Sequence, residues 1–255
     1  MIGVNKIKEA VNAIENSAYT FAFTGAGISV ESGIPPFRGE NGIWGKYDPK
    51  VLELGYFHEN PAESWKVIRE IFYEYFGKSI PNKAHKVLAE LESKKLLQSI
   101  ITQNIDNLHQ EAGSKEVYEF HGNMKNLLCT DCGHYYNVSK INLEKLPPLC
   151  PACSGLLKPD FIFFGEGIPP EAYQKSMEAA QKAEAVLIIG TTGEVMPAAQ
   201  IPYIAKQNGA LIIEINTKTS KFSHSITDIY LEGKATEVMG ELLDVLNIET
   251  ENKKR

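Results

Sequence analysis

The chain has 255 residues, 43% of them hydrophobic and 23% charged, enough to bury a sizeable core and to set disorder aside as the default. A formal net charge of −6 gives no long-range attraction to nucleic acid or an anionic membrane, so no specific nucleic-acid partner is expected. No run approaches the roughly eighteen apolar residues of a membrane span, and the polar opening MIGVNKIKEAVNAIENS shows no cleavable signal, so no membrane partner and a cytoplasmic location are expected.

In chain order, residues 4–17 read as an amphipathic helix with Val4, Ile7, Val11 and Ile14 at helical spacing, then a strand over 19–24 and at once a glycine turn. Residues 31–61 hold four prolines and scattered glycines, which predicts loop with short helical pieces. A helix over 62–76 carries the apolar stripe Trp65, Ile68, Ile71, Phe72 and Tyr75. Another over 84–94 leads into a strand over 97–102. Strands over 185–190 and 210–216 are continuous apolar runs of the kind buried on both faces of a parallel sheet, alternating with helices over 171–183 and 197–208. This alternation predicts an α/β fold with a doubly wound parallel sheet. A cysteine region at about 125–160 interrupts it as an inserted lobe, and the charged ETENKKR after Ile248 reads as a frayed tail.

Cys129-x2-Cys132 and Cys150-x2-Cys153 lie seventeen residues apart, the spacing of paired zinc knuckles, with Gly133 and Gly155 permitting tight turns beyond them. Four thiolates would close a tetrahedral sphere and leave no position for a reactive water, so the expected Zn²⁺ is structural. Two disulfides or a redox pair are the alternatives.

Thr24-Gly25-Ala26-Gly27-Ile28-Ser29 follows the first strand, where glycines let a backbone approach a pyrophosphate. The third glycine of a dehydrogenase fingerprint is replaced by Val30, and the next stretch is Pro35-Pro36-Phe37-Arg38-Gly39, so hydride transfer is disfavoured. From the turn alone, packing glycines and ligand glycines remain equal readings. Thr102-Gln103-Asn104-Ile105-Asp106 ends an apolar strand where open α/β sheets bind ligands, yet Asp106 could equally cap the helix through Leu108 and His109. His121, between Phe120 and Gly122 at the edge of the inserted lobe, could take a proton at neutral pH or serve as a structural histidine. His85, His109 and His134 carry only the structural reading.

The order GAGIS at 25–29, SGIP at 32–35, Phe37-Arg38, TQNID at 102–106, HG at 121–122, both cysteine pairs, FGE at 164–166 and Gly190-Thr191 resembles the sirtuin family over about residues 10–245. The resemblance implies a Rossmann-like large domain (1–38, 84–124 and 160–248), a small domain of a helical part (39–83) and a zinc module (125–159), a charged tail (249–255), and a cleft for NAD and an acylated lysine of a protein or peptide. It implies that Gly25, Ala26 and Gly27 face the pyrophosphate and that Phe37 and Arg38 cover the nicotinamide ribose. Gln103, Asn104, Ile105 and Asp106 would line the nicotinamide pocket, and Gly190, Thr191, Thr192, Asn216 and Ala235 would hold the adenosine half. Phe164, Gly165, Glu166 and Val195 would pair with substrate backbone as an added strand. His121 would be the general base, with Asn104 beside it stabilising charge, in an NAD-dependent lysine deacylase that forms O-acyl-ADP-ribose.

Three positions depart from the family pattern: Pro36 before Phe37, Thr192-Gly193-Glu194 near the adenosine ribose, and Ile68 and Ile71 where relatives that prefer acidic acyl groups are expected to carry Tyr and Arg. On that alignment Ile68 and Ile71 border the acyl channel and disfavour succinyl-lysine. The competing functions are a mono-ADP-ribosyltransferase and a non-catalytic acyl-peptide adaptor.

Overall fold

The computed structural model describes residues 4–37 and 42–253, so Arg38 lies outside the described residues. Helix α1 (Val4–Glu15) leads into β1 (Thr20–Thr24) and a 3-10 turn (Ala26–Ser32). The proline-rich stretch forms 3-10 turns at Ile43–Gly45 and Pro49–Leu52 and the short α2 (Leu54–Glu59). Then come α3 (Pro61–Ile68), running into a π-helical turn (Arg69–Tyr75), and α4 (Lys83–Ser93), β2 (Ser99–Thr102), α5 (Leu108–Glu111) and β3 (Val117–Glu119). The inserted lobe contributes β4 (Gly122–Cys129), β5 (Tyr135–Asn137) and β6 (Leu157–Phe161). The chain closes with α6 (Pro170–Lys182), β7 (Ala185–Ile189), α7 (Gln200–Gln207), β8 (Leu211–Asn216), β9 (Ile229–Glu232) and α8 (Ala235–Lys253).

Six strands form one sheet in the order β3-β2-β1-β7-β8-β9, with every pairing parallel. Numbered among themselves along the chain, these strands run 3-2-1-4-5-6, the dinucleotide-binding order. Alternation of side chains gives the sheet two cores. Ala22, Leu187 and Ile189 meet Ile7 of α1, Val87 of α4 and Val238 of α8. Phe21, Phe23, Val186 and Ile188 meet Ala179 of α6 and Ile201 of α7. Every residue of β1, β2 and β7 is buried, which is why β7 reads as an unbroken apolar run and β1 and β2 carry polar residues only at their ends. The strand order reverses between β1 and β7, and a crevice opens beyond their C-terminal ends.

A third core joins the remaining pieces. Phe57, Trp65, Ile68, Ile71, Phe72 and Phe76 pack with Leu127, Leu157, Phe161 and Phe163, and the Trp65 indole N–H donates to the Leu157 carbonyl at 2.8 Å. The helical segment and the cysteine module therefore share one core. Their small sheet, in the order β5-β4-β6, is antiparallel; β4 begins at Gly122 and β6 reaches Phe161, so both cross the limits of 124 and 160 drawn from sequence. At the other end α8 continues to Lys253, so residues 249–253 of the charged run extend a helix, where a frayed tail was expected. No described helix is long and apolar enough to cross a membrane.

Candidate active site

The four cysteine sulfurs lie within 4.8 Å of one another, with Cys129 to Cys153 at 3.5 Å and Cys132 to Cys150 at 3.7 Å. A tetrahedral ion with Zn–S bonds of about 2.3 Å requires sulfurs about 3.8 Å apart, so the donor set fits zinc, and separations this long exclude S–S bonds between those pairs. Cys129 and Cys150 are buried against the small-lobe core while Cys132 and Cys153 are exposed. Bound there, zinc cross-links β4 to the loop before β6 and supplies no reactive position.

The glycine turn is shaped by packing. A Cβ on Gly27 would lie 2.5 Å from Gly190 Cα, and one on Gly190, at φ +64°, would lie 2.4 Å from the Ile28 nitrogen. Only glycine lets the ends of β1 and β7 meet this closely. Gly25 and Gly27 already donate their N–H groups to the carbonyls of Ile189 and Gly190, so of the turn's first three residues it is Ala26 whose N–H is left to meet an anion. The two glycines pack against β7, and the alanine between them lines a cleft with Ile34, Phe37, Phe76, Asn104, Ile105 and Asp106.

Beneath that cleft lies a buried polar floor. Asn104 donates both amide hydrogens, to the Gly25 carbonyl and to Ser29 Oγ at 3.2 Å each, which fixes the side chain with Oδ1 as its remaining group. Asp106 lies one residue before Asn107, the cap position of α5, and both its oxygens are engaged within the protein. Its Oδ1 accepts the N–H of Leu108, the first residue of α5, at 3.0 Å, and its Oδ2 accepts the Ser29 hydroxyl at 2.7 Å. Burial pushes its carboxyl up from the usual range, against those two hydrogen bonds. His85 and His109, rings 4.9 Å apart, extend the floor. Thr24 Oγ1 gives its hydrogen to Thr102 Oγ1, so His109 Nε2, 2.9 Å away, must be the donor to Thr24. Burial depresses both imidazoles, His85 to about 4, and both remain neutral. His85 and His109 are buried structural residues, and the partners that place them, Ser29 and Thr24, lie tens of residues away along the chain.

His121 stands at the junction of sheet and lobe, just before β4. Its Nδ1 lies 2.9 Å from the Gln103 carbonyl, and a carbonyl only accepts, so Nδ1 carries the proton and Nε2 is bare. Burial lowers its pKa from 6.5, against the Gln103 hydrogen bond. The imidazole is therefore neutral, with its basic nitrogen unprotonated at pH 7. Gln103 Nε2 in turn donates to Thr191 Oγ1 at 3.1 Å, and Asn216 Nδ2 to the Thr191 carbonyl at 2.9 Å, so the ends of β2, β7 and β8 are tied together. Thr192 is exposed. The departure at Gly193 has a steric reason: at φ +72° its Cβ would lie 2.9 Å from the Phe222 ring. Ala235 opens α8, whose next N–H, that of Thr236, is accepted by Glu31 from the glycine-turn segment.

Ile68 and Ile71 are buried in the small-lobe core, and Phe76, beyond the π-helical turn, lines the cleft. The stripe Trp65, Ile68 and Phe72 points inward. Phe164 is paired through both backbone groups with Leu52 and Leu54, so an added strand would find Gly165 and Glu166, with Val195 on the loop after β7.

A dinucleotide-type sheet joined to a four-cysteine lobe, with a neutral imidazole base where they meet, defines a class of nucleotide-dependent group-transfer enzyme. The sequence model of the Sir2 family matches residues 25–197. The NAD-dependent protein deacylase of Thermococcus sibiricus is 44% identical over 259 residues, covering 97% of this chain and 99% of that protein. Among solved structures, a Sir2 protein with p53 peptide and NAD⁺ superposes with a TM-score of 0.87 at 34% identity, covering 95% of this chain and 99% of that one. A Sir2 protein with deacetylated p53 peptide and 3′-O-acetyl ADP ribose gives 0.89 at 35% identity, covering 94% and 98%. The chain belongs to the Sir2 family.

Proposed function

We propose that the chain is an NAD-dependent protein lysine deacylase, chiefly a deacetylase, that passes the acyl group to ADP-ribose and releases nicotinamide. The observation that carries this reading is the protonation of His121: a bare Nε2 on a neutral ring, held by the Gln103 carbonyl at the mouth of a polar crevice. The deacetylated peptide and acetyl ADP-ribose held by a relative of this fold are the products such a transfer leaves.

The crevice at the β1/β7 switch point would take NAD with Ala26 toward the pyrophosphate, Thr191, Thr192, Asn216 and Ala235 toward the adenosine, and Phe37 and Arg38 over the nicotinamide ribose. Gln103, Asn104, Ile105 and Asp106 would surround the nicotinamide. An amide oxygen is a weak nucleophile, so the nicotinamide bond must be largely broken as the acyl-lysine oxygen arrives and positive charge grows at the ribose carbon. Asn104 meets that charge with Oδ1, which its two donated hydrogens orient without reorganisation during the reaction. His121 would then remove a proton from a ribose hydroxyl as that oxygen attacks the alkylated amide; the lysine amine leaves with a proton, and one water adds to the cyclic acyl centre that remains, opening it to O-acyl-ADP-ribose. Gly165, Glu166 and Val195 would pair with the peptide backbone, a mode that demands little of substrate sequence. The zinc module holds the small lobe and takes no chemical part.

The resemblance sets Ile68 and Ile71 beside the acyl channel. A succinyl carboxylate brought against two isoleucines would lose hydration without a partner, whereas each buried methylene of a neutral acyl chain would gain about 0.8 kcal/mol. On that reading the substrates are acetyl- and neutral acyl-lysines. Cysteines poised for metal support a reducing compartment, the cytoplasm. The test is nicotinamide release from NAD with and without an acetylated peptide. The reading requires release that depends on the peptide; peptide-independent release with ADP-ribose left on protein would replace it with ADP-ribosyl transfer.

A further inference from the structure

Lys158 is an ammonium group with no exposed role, its side chain only 6% accessible. All three of its protons are used. Nζ donates to the carbonyls of Pro159 and Phe161 at 2.8 Å each, and to Glu166 Oε2 at 2.9 Å, while lying 4.3 Å from the centre of the Phe163 ring. Glu166 Oε2 also accepts the N–H of Phe163 at 2.6 Å, and the Glu166 N–H returns to the Phe163 carbonyl at 3.0 Å. The segment 163–166 is thus a closed turn with Gly165 at φ +95° and one buried cation beneath it. Its far side is held by Phe164 pairing with Leu52 and Leu54. The described backbone hydrogen bonds leave the N–H and C=O of Gly165 and the C=O of Glu166 unclaimed.

We propose that the Lys158–Glu166 pair is a positioning clamp that presents the Gly165–Glu166 edge to the acyl-peptide, and that the Glu166 carboxylate, its Oε2 held by Lys158 and the Phe163 N–H, does not read charge on the substrate. This rests on the assignment of that edge as the peptide-docking strand. Breaking a buried ion pair leaves its partner uncompensated, and the turn then loses the contact that holds its carboxylate end. Burial also presses the Lys158 ammonium down from its ordinary pKa, with Glu166 opposing it, so the pair depends on both members.

The experiment compares wild type with Lys158→Met, Lys158→Arg and Glu166→Gln, using acetylated peptides flanked by acidic or by basic residues. Misplacement of a docking edge should raise the peptide KM by roughly 10–100-fold, while the KM for NAD moves less than about twofold and arginine restores most of the loss. Glu166→Gln should raise KM by one factor for both peptide types. An unchanged peptide KM in Lys158→Met, or a Glu166→Gln effect that follows the flanking charge, overturns the clamp. Anisotropy of a labelled acetyl-peptide gives the same ratios as Kd without turnover. Wild type that binds peptide but releases no nicotinamide sinks the deacylase reading alone, and the Kd ratios still decide the clamp; wild type that binds no peptide overturns both.

Discussion

The two halves of the cleft are built on opposite principles. On the sheet side, position comes from backbone: Gly25, Gly27 and Gly190 press the ends of β1 and β7 together, and Asn104, Gln103 and His121 are each aimed by a backbone carbonyl. On the lobe side, position comes from one apolar core shared by the helical segment and the cysteine module, and from a four-sulfur cluster that ties the end of β4 to the loop before β6. One structural ion thus does for the lobe's ends what ladder hydrogen bonds do for the sheet.

The largest expected effect breaks the lobe half. Structural zinc contributes about 10 kcal/mol or more to small metal-dependent folds. Chelation, or Cys129→Ala with Cys150→Ala, should release one zinc per chain and unfold residues around β4 to β6, while amide exchange in β1 and β7 stays protected. A fully active protein without zinc by elemental analysis would end the structural-metal account.

The sheet half breaks at His121. Replacing a general base typically costs about 10²–10⁴ in rate, so His121→Ala should lose deacylation in that range with NAD affinity within a few-fold, by titration. In wild type the acid limb of kcat/KM should have its midpoint below 6.5, because burial lowers the folded pKa from that value and the base is lost only once pH falls through it. A limb above 6.5 would show that His121 is not the group titrating.

Gly190→Ala sharpens the comparison by attacking backbone closeness. The added carbon must displace Ile28 or Gly27 backbone at a φ of +64°, with an expected loss of about 2–4 kcal/mol in a denaturant melt together with weaker NAD binding. The smallest effect lies on the lobe wall. Ile68→Tyr with Ile71→Arg should narrow the preference for acetyl- over succinyl-peptide by roughly tenfold, comparable to one modest charge contact. A destabilised lobe with an unchanged preference would take the isoleucines out of the channel.

How much was legible follows from where partners lie along the chain. TQNID, the HG pair and the paired cysteines announce themselves because each site collects several polar groups within a few residues. The parallel sheet is legible because buried strands must be apolar on both faces. What the glycines do is not legible from their own turn: whether Gly27 packs or binds depends on Gly190, which the fold brings to it. His85 and His109 read as ordinary core histidines, and their place under the cleft depends on Ser29 and Thr24. The π-helical turn over Arg69–Tyr75, after which Phe76 reaches the cleft, is not revealed by apolar spacing. β9 and α8 are absent from the sequence expectation, although Val238, Met239, Leu242 and Leu246 carry the stripe that α8 buries.

The central claim is that this switch-point crevice moves an acyl group from lysine to ADP-ribose. The most direct measurement is a mass balance of NAD and an acetyl-lysine peptide after partial turnover. The account predicts one nicotinamide and one O-acetyl-ADP-ribose for each lysine freed. Free acetate with NAD unconsumed, or nicotinamide released with the peptide still acetylated, would contradict it.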